Sequence, residues 1–80
     1  MTTEWLHIGE LHSARIGAYV LEVDAHETSD SDLRWWEWIV VGRDEEGRPE
    51  PLAEGVSYRS LDEAKACAEA VARVLSSSQT

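Results

Sequence analysis

Short runs rich in apolar, β-branched and aromatic residues, broken by polar turn formers, fill the chain up to Tyr58, and apolar positions recur at three- and four-residue spacing after Ser60. The first pattern predicts strands and the second a helix. The densest apolar stretch is Leu33-Arg34-Trp35-Trp36-Glu37-Trp38-Ile39-Val40-Val41, closed by Gly42. Successive side chains of a strand point to opposite faces. One face then carries Leu33, Trp35, Glu37, Ile39 and Val41, and the other Arg34, Trp36, Trp38 and Val40. Both faces are apolar, so both need cover.

The remaining strands follow from the same alternation. Residues 4–12 form a first strand, with Trp5, His7, Gly9 and Leu11 on one face, Leu6 and Ile8 on the other, and a bulge at Gly9. Ser13 and Ala14 lie near a turn. A second strand spans 15–24, with Tyr19, Leu21 and Val23 opposite Ile16, Ala18 and Val20. Residues 26–32 are polar and rich in turn formers, so they read as a loop. Residues 43–51 form an acidic connection in which Glu46-Gly47 suits a turn. A short fourth strand fits 52–58. Pro49 and Pro51 put its start at a sheet edge, because proline has no N–H for the ladder, and Gly55 interrupts it.

The helix carries the firmest local signal. Ser60-Leu61-Asp62-Glu63 is a capping box, the Ser60 hydroxyl accepting from the Glu63 amide while Glu63 reaches back to the Ser60 amide. Ala64, Cys67, Ala68, Val71, Val74 and Leu75 form one apolar stripe. Lys65–Glu69 and Glu69–Arg73 pair at i,i+4 on the solvent side, and 76–80 is a frayed tail. The expected architecture is α+β: one domain over 1–80, a three- or four-stranded antiparallel sheet with one C-terminal helix packed on one face. A slim, alanine-rich helix covers one face only. With Trp36 and Trp38 beneath it, Trp35, Ile39 and Val41 are left needing a second cover, from a partner or from a twin copy.

Charge sharpens that expectation. Sixteen acidic residues stand against seven basic ones, a formal net charge of −9. Such a chain repels nucleic acid and anionic membranes and is drawn to basic protein surfaces. Sheet aromatics can stack nucleobases, but RNA-binding folds surround them with Lys and Arg. Here the strand has only Arg34 and Arg43, so direct nucleic-acid binding is not expected. Between Glu22 and Asp32 lie Glu22, Asp24, Glu27, Asp30 and Asp32 with no Lys or Arg, and Asp44, Glu45 and Glu46 follow in the second connection. These eight acids are the partner-binding candidates. Trp35 is the apolar anchor, since one indole buries a large area and keeps a hydrogen-bond donor. The plainer alternative is that the acidity only keeps a small protein soluble.

Catalytic and metal chemistry find little support. His7, His12 and His26 form no His-x-His pair and no i,i+4 pair on the helix. His7 and His12 fall on opposite faces of a regular strand, so no metal or other cofactor is expected. Cys67 sits on the apolar stripe as a small hydrophobe. There is no nucleophile elbow and no Gly-rich phosphate loop. The chain reads as non-enzymatic. One cysteine excludes an intrachain disulfide and fits a reducing cytoplasm. The start does not read as a signal peptide, and no apolar run approaches the ~20 residues that span a bilayer.

Trp36-x-Trp38-x-Val40, then Gly42, Gly47 and Gly55, then Ser60-Leu61-Asp62-Glu63-Ala64-Lys65 running into Ala66, Ala68, Glu69 and Ala70 resembles a pattern in small phage and prophage proteins. There a tryptophan strand, a Gly turn and a Ser-Leu-x-Glu-Ala-Lys helix follow one another. The match covers residues 35–74 and is structural. The acidic, compact, cysteine-poor make-up is also similar to anti-CRISPR inhibitors, many of which bind basic nucleic-acid grooves of effector complexes. The resemblance implies an inhibitor that blocks a basic nucleic-acid-binding surface. The alternative is a homodimeric structural module whose open sheet faces pair.

Overall fold

Two glycine turns shape the N-terminal half. Gly9 and Gly17 each take the first position of a two-residue hairpin connection, at φ of 62° and 59°. A positive φ at that position alone is the pattern of a type II′ turn, where glycine avoids the Cβ clash. They separate β1 (Leu6–Ile8), β2 (Leu11–Ile16) and β3 (Tyr19–Glu27), which are followed by β4 (Arg34–Arg43), β5 (Pro49–Ser57) and α1 (Leu61–Ser77). The computed structural model describes residues 3–29 and 33–77.

The strands form one antiparallel sheet in the order β1-β2-β3-β4-β5, with α1 across one face, chiefly over β3 and β4. The α+β class and the single C-terminal helix are as expected, but the described residues form five strands rather than three or four. The extra one arises because Gly9 reverses the chain where a bulge was expected, and Ser13 and Ala14 lie inside β2. The reversal also reassigns faces. His7 pairs with His12 on the same face, their rings stacked at 5.2 Å, whereas an unbroken strand would separate them. Ile16 likewise joins the face of its partner Tyr19. β3 runs on through His26 and Glu27, β4 through Gly42 and Arg43, and β5 takes in both prolines as an outer strand.

The core lies between sheet and helix. Leu21 faces Val40 and Val23 faces Trp38 across β3 and β4, and Leu21, Val23 and Val40 are fully buried. Ala64, Ala68 and Ala72 are fully buried above them. This i,i+4 row of small side chains lets the helix settle close to the sheet. The buried line therefore includes Ala72 and excludes Val74, which is 68% exposed; two residues beyond Ala72 turn by about 200°, to the far side. Cys67, Val71 and Leu75 are half-buried flanks.

Both helix ends are tied to the sheet. Ser60 Oγ accepts from the Glu63 amide at 3.0 Å, as the capping box requires. The Glu63 carboxylate, however, accepts from Ser57 Oγ at 2.9 Å rather than from the Ser60 amide. Ser57 is buried, and a buried hydroxyl without a partner is costly. Tyr19 Oη donates to the Leu75 carbonyl at 3.4 Å. Trp5 Nε1 donates to Glu69 at 2.9 Å and its ring lies 5.3 Å from Lys65 Nζ. Lys65 thus sits over Trp5, whereas Arg73 does pair with Glu69, at 3.1 Å. Burial pushes the Glu69 carboxyl up, but hydrogen bonds from Trp5, Arg73 and Thr3 outweigh it and hold the group below its ordinary value. Ser76 and Ser77 remain helical, and the rest of the expected tail, 78–80, lies outside the described residues.

Candidate functional site

The face away from α1 is built from the alternate positions of the same strands. Register pairs Val20 with Val41, Glu22 with Ile39, Asp24 with Glu37 and His26 with Trp35. β5 adds Glu54 beside Ile39 and Val56 beside Glu37, and β2 adds Leu11 beside Asp24. Leu11, Glu22, Asp24, Glu37, Ile39, Glu54 and Val56 line a shallow concavity of about 570 Å³. Beyond Leu11, Leu6 and Ile8 stand 71% and 81% exposed on the same face. The result is an apolar floor set with four carboxylates. Trp36 and Trp38 lie on the helix side and Trp35 on this one, so the indoles are divided between the two faces.

Asp24 and Glu37 are direct cross-strand neighbours, and like charges so placed destabilise a sheet. His26 Nε2 lies 3.1 Å from a Glu37 oxygen and 3.6 Å from an Asp24 oxygen. Its ring stacks on Trp35 at 5.7 Å and 11°, and Trp35 Nε1 donates to Glu37 at 3.4 Å. Indole, imidazole and two carboxylates thus make one connected group. Among the described residues no set of three His, Cys, Asp or Glu is arranged to hold a metal ion. Cys67 lies on α1, across the sheet. The site offers a cation or a basic side chain several carboxylate oxygens beside apolar surface.

The sequence-predicted residues part company here. Glu22, Asp24 and Trp35 come together on this face. Glu27 closes β3 on the opposite, helix-side face, where it pairs with Arg34 at 3.1 Å. Asp30 and Asp32 lie outside the described residues. Asp44, Glu45 and Glu46 occupy the β4–β5 turn, in a separate acidic depression with Arg43 and Glu50. Asp44 serves that turn: its Oδ1 accepts from the amides of Glu46 and Arg48, both at 2.9 Å. Its carboxyl is held below the usual value, foremost by the Arg48 amide and against the opposing effect of burial, with the Glu46 amide, the Arg48 side chain and the Gly47 amide adding to it. Glu46 pairs with Arg48 at 2.6 Å, and Glu45 is exposed.

Two carboxylates of the face, Glu37 and Glu54, are absent from the candidates drawn from sequence. Glu37 was legible by alternation between Trp35 and Ile39, but an acid inside an apolar run is easily read as a strand's polar outlier. Glu54 reaches the face through the β4–β5 register, which no local pattern encodes.

No protein-family model, curated protein or solved structure matches the chain. No helix among the described residues is long and apolar enough to cross a membrane.

Proposed function

We propose that this chain is a non-enzymatic protein-binding module whose uncovered sheet face docks on a basic, apolar-studded surface of another protein. The observation that carries the reading is the placement of Glu22, Asp24, Glu37 and Glu54 on an apolar floor that the chain's own helix leaves open. Carboxylates on an apolar floor give steering and register to a basic partner, while the floor and Trp35 supply contact area. A surface that takes such a face is one built to hold phosphates, so the chain acts as an inhibitor competing with nucleic acid, in the manner of anti-CRISPR proteins and within a host-cell cytoplasm. Face-to-face pairing of two copies is the weaker arrangement, because it would set these acids against their own duplicates.

The test compares the wild-type chain with the combined variant Glu22→Gln, Glu37→Gln and Glu54→Gln as bait in bacterial lysate. The expected partner is basic, is displaced by added RNA, and binds the variant about tenfold or more weakly, a loss of about 1.4 kcal/mol. Its affinity also falls steeply with salt. The variant itself keeps its stability to within about 1 kcal/mol, since Glu37 and Glu54 are exposed and Glu22 half-buried, and charges so placed contribute little. Equal capture by both baits, or capture indifferent to salt, would remove the proposal. Sedimentation at rising concentration is expected to show a monomer; a dimer dissolved by mutating Ile39 would transfer the face to self-pairing.

A further inference from the structure

Resting on that docking role, we infer that the partner presents a basic amphipathic α-helix, laid along β3 and β4. The sheet edges discourage the other common mode, addition of a strand. β1 offers three residues, and β5 carries Pro49 and Pro51 beside a register shift opposite Val40 and Val41. Prolines and bulges of this kind are how proteins close an edge to pairing. The opposite face already accepts a helix over the same two strands, and a second one completes a helix–sheet–helix sandwich.

The spacing of charge fits. Glu22 and Asp24 are two residues apart on β3, about 6.6 Å, and positions i and i+4 of a helix rise by about 6 Å. Asp24 and Glu37 pair directly, and Glu54 reaches the same floor through Ile39, so a basic stripe meets acids on three strands. The length of the face from Val20 to His26 is about 20 Å, which a helix of about 13 residues spans. Leu11 and Val56 flank the acids and would meet apolar residues beside that stripe. The helix of a second copy does not qualify, because α1 sets Asp62, Glu63 and Glu69 against only Lys65 and Arg73.

Two synthetic peptides of identical Leu, Lys and Ala composition distinguish the arrangements. Each has about eighteen residues, enough for a stable turn count in a good helix former. One places Leu and Lys at helical spacing and the other alternates them strictly. The ¹⁵N-labelled full chain is titrated with each. The helical peptide is expected to bind about tenfold more tightly, to gain helical circular dichroism on binding, and to shift amides of 20–26 and 35–41. The triple Gln variant should weaken it by a similar factor. Equal or tighter binding by the alternating peptide overturns the helix and leaves the docking role standing. Binding by neither, or shifts confined to the 44–46 turn, overturns both.

Discussion

The two faces of this sheet are made by neighbouring residues and do opposite things. Leu21, Val23 and Val40 point toward α1 and are fully buried. Glu22, Asp24 and Ile39, one step along the same strands, point away and line an open concavity. The covered face gains stability from burial and close packing. The uncovered face keeps a directly opposed Asp24–Glu37 pair, which lowers stability. A slip of one residue in register would exchange the two sets, so the core that holds the fold also aims the acids.

The sharpest way to break this contrast is to delete equal bulk from both sides. Leu21→Ala is expected to lose about 2–5 kcal/mol, a large share of the roughly 5–15 kcal/mol that a domain holds. Ile39→Ala should lose about 1 kcal/mol, since its surroundings stay half open. Urea unfolding followed by circular dichroism measures both, and similar losses would show that the second face is core as well.

A smaller effect probes why glycine sits in β5. Gly55 pairs with Trp38, and a Cβ there would meet indole atoms at 2.5 to 2.8 Å. The ring lies over the glycine and fills the place of its missing side chain. Gly55→Ala should therefore cost about 1–3 kcal/mol and change the near-ultraviolet signal of tryptophan. Unchanged stability would mean that the indole swings aside freely.

The smallest effect is one of pH, and it belongs to the covered side. Burial, then the charges of Lys65 and His7, hold the His12 imidazole below its ordinary value, and its Nδ1 is buried without a hydrogen-bond partner. Between that lowered value and about 6.5 the unfolded chain binds a proton that the folded one does not, so stability rises with pH there. The contribution is complete above about pH 6.5 and declines as the pH falls through the folded value. His12→Gln should flatten the slope of the unfolding midpoint between about pH 7.5 and about pH 5. An unaltered slope would assign it to other groups. Asp44 and Glu69, both held low, lose their contributions only at more acidic pH, outside that window.

Much of this was readable in advance, and the failures have definite causes. The helix start came from Ser60 and Glu63, and the division of Trp35 from Trp36 and Trp38 came from period-two alternation. The five-strand count turns on Gly9 and Gly17, where a glycine followed by one residue between apolar runs is itself a turn signal. The acidic candidates stand out by density along the chain. Asp44 and Glu46 are dense because they build and screen a tight turn, whereas Glu37 and Glu54 lie far apart in sequence and meet only through pairing.

What the amino-acid order determined alone is local: which residues alternate, where the helix is capped, and that one thin helix leaves apolar area over. Those follow from backbone geometry within a few residues. Which acids share a surface, that His7 stacks on His12, and that Trp38 rests on Gly55 were decided only by tertiary structure. The reason is that β-register joins residues distant in the chain, and a single turn placed elsewhere changes every partner that follows it.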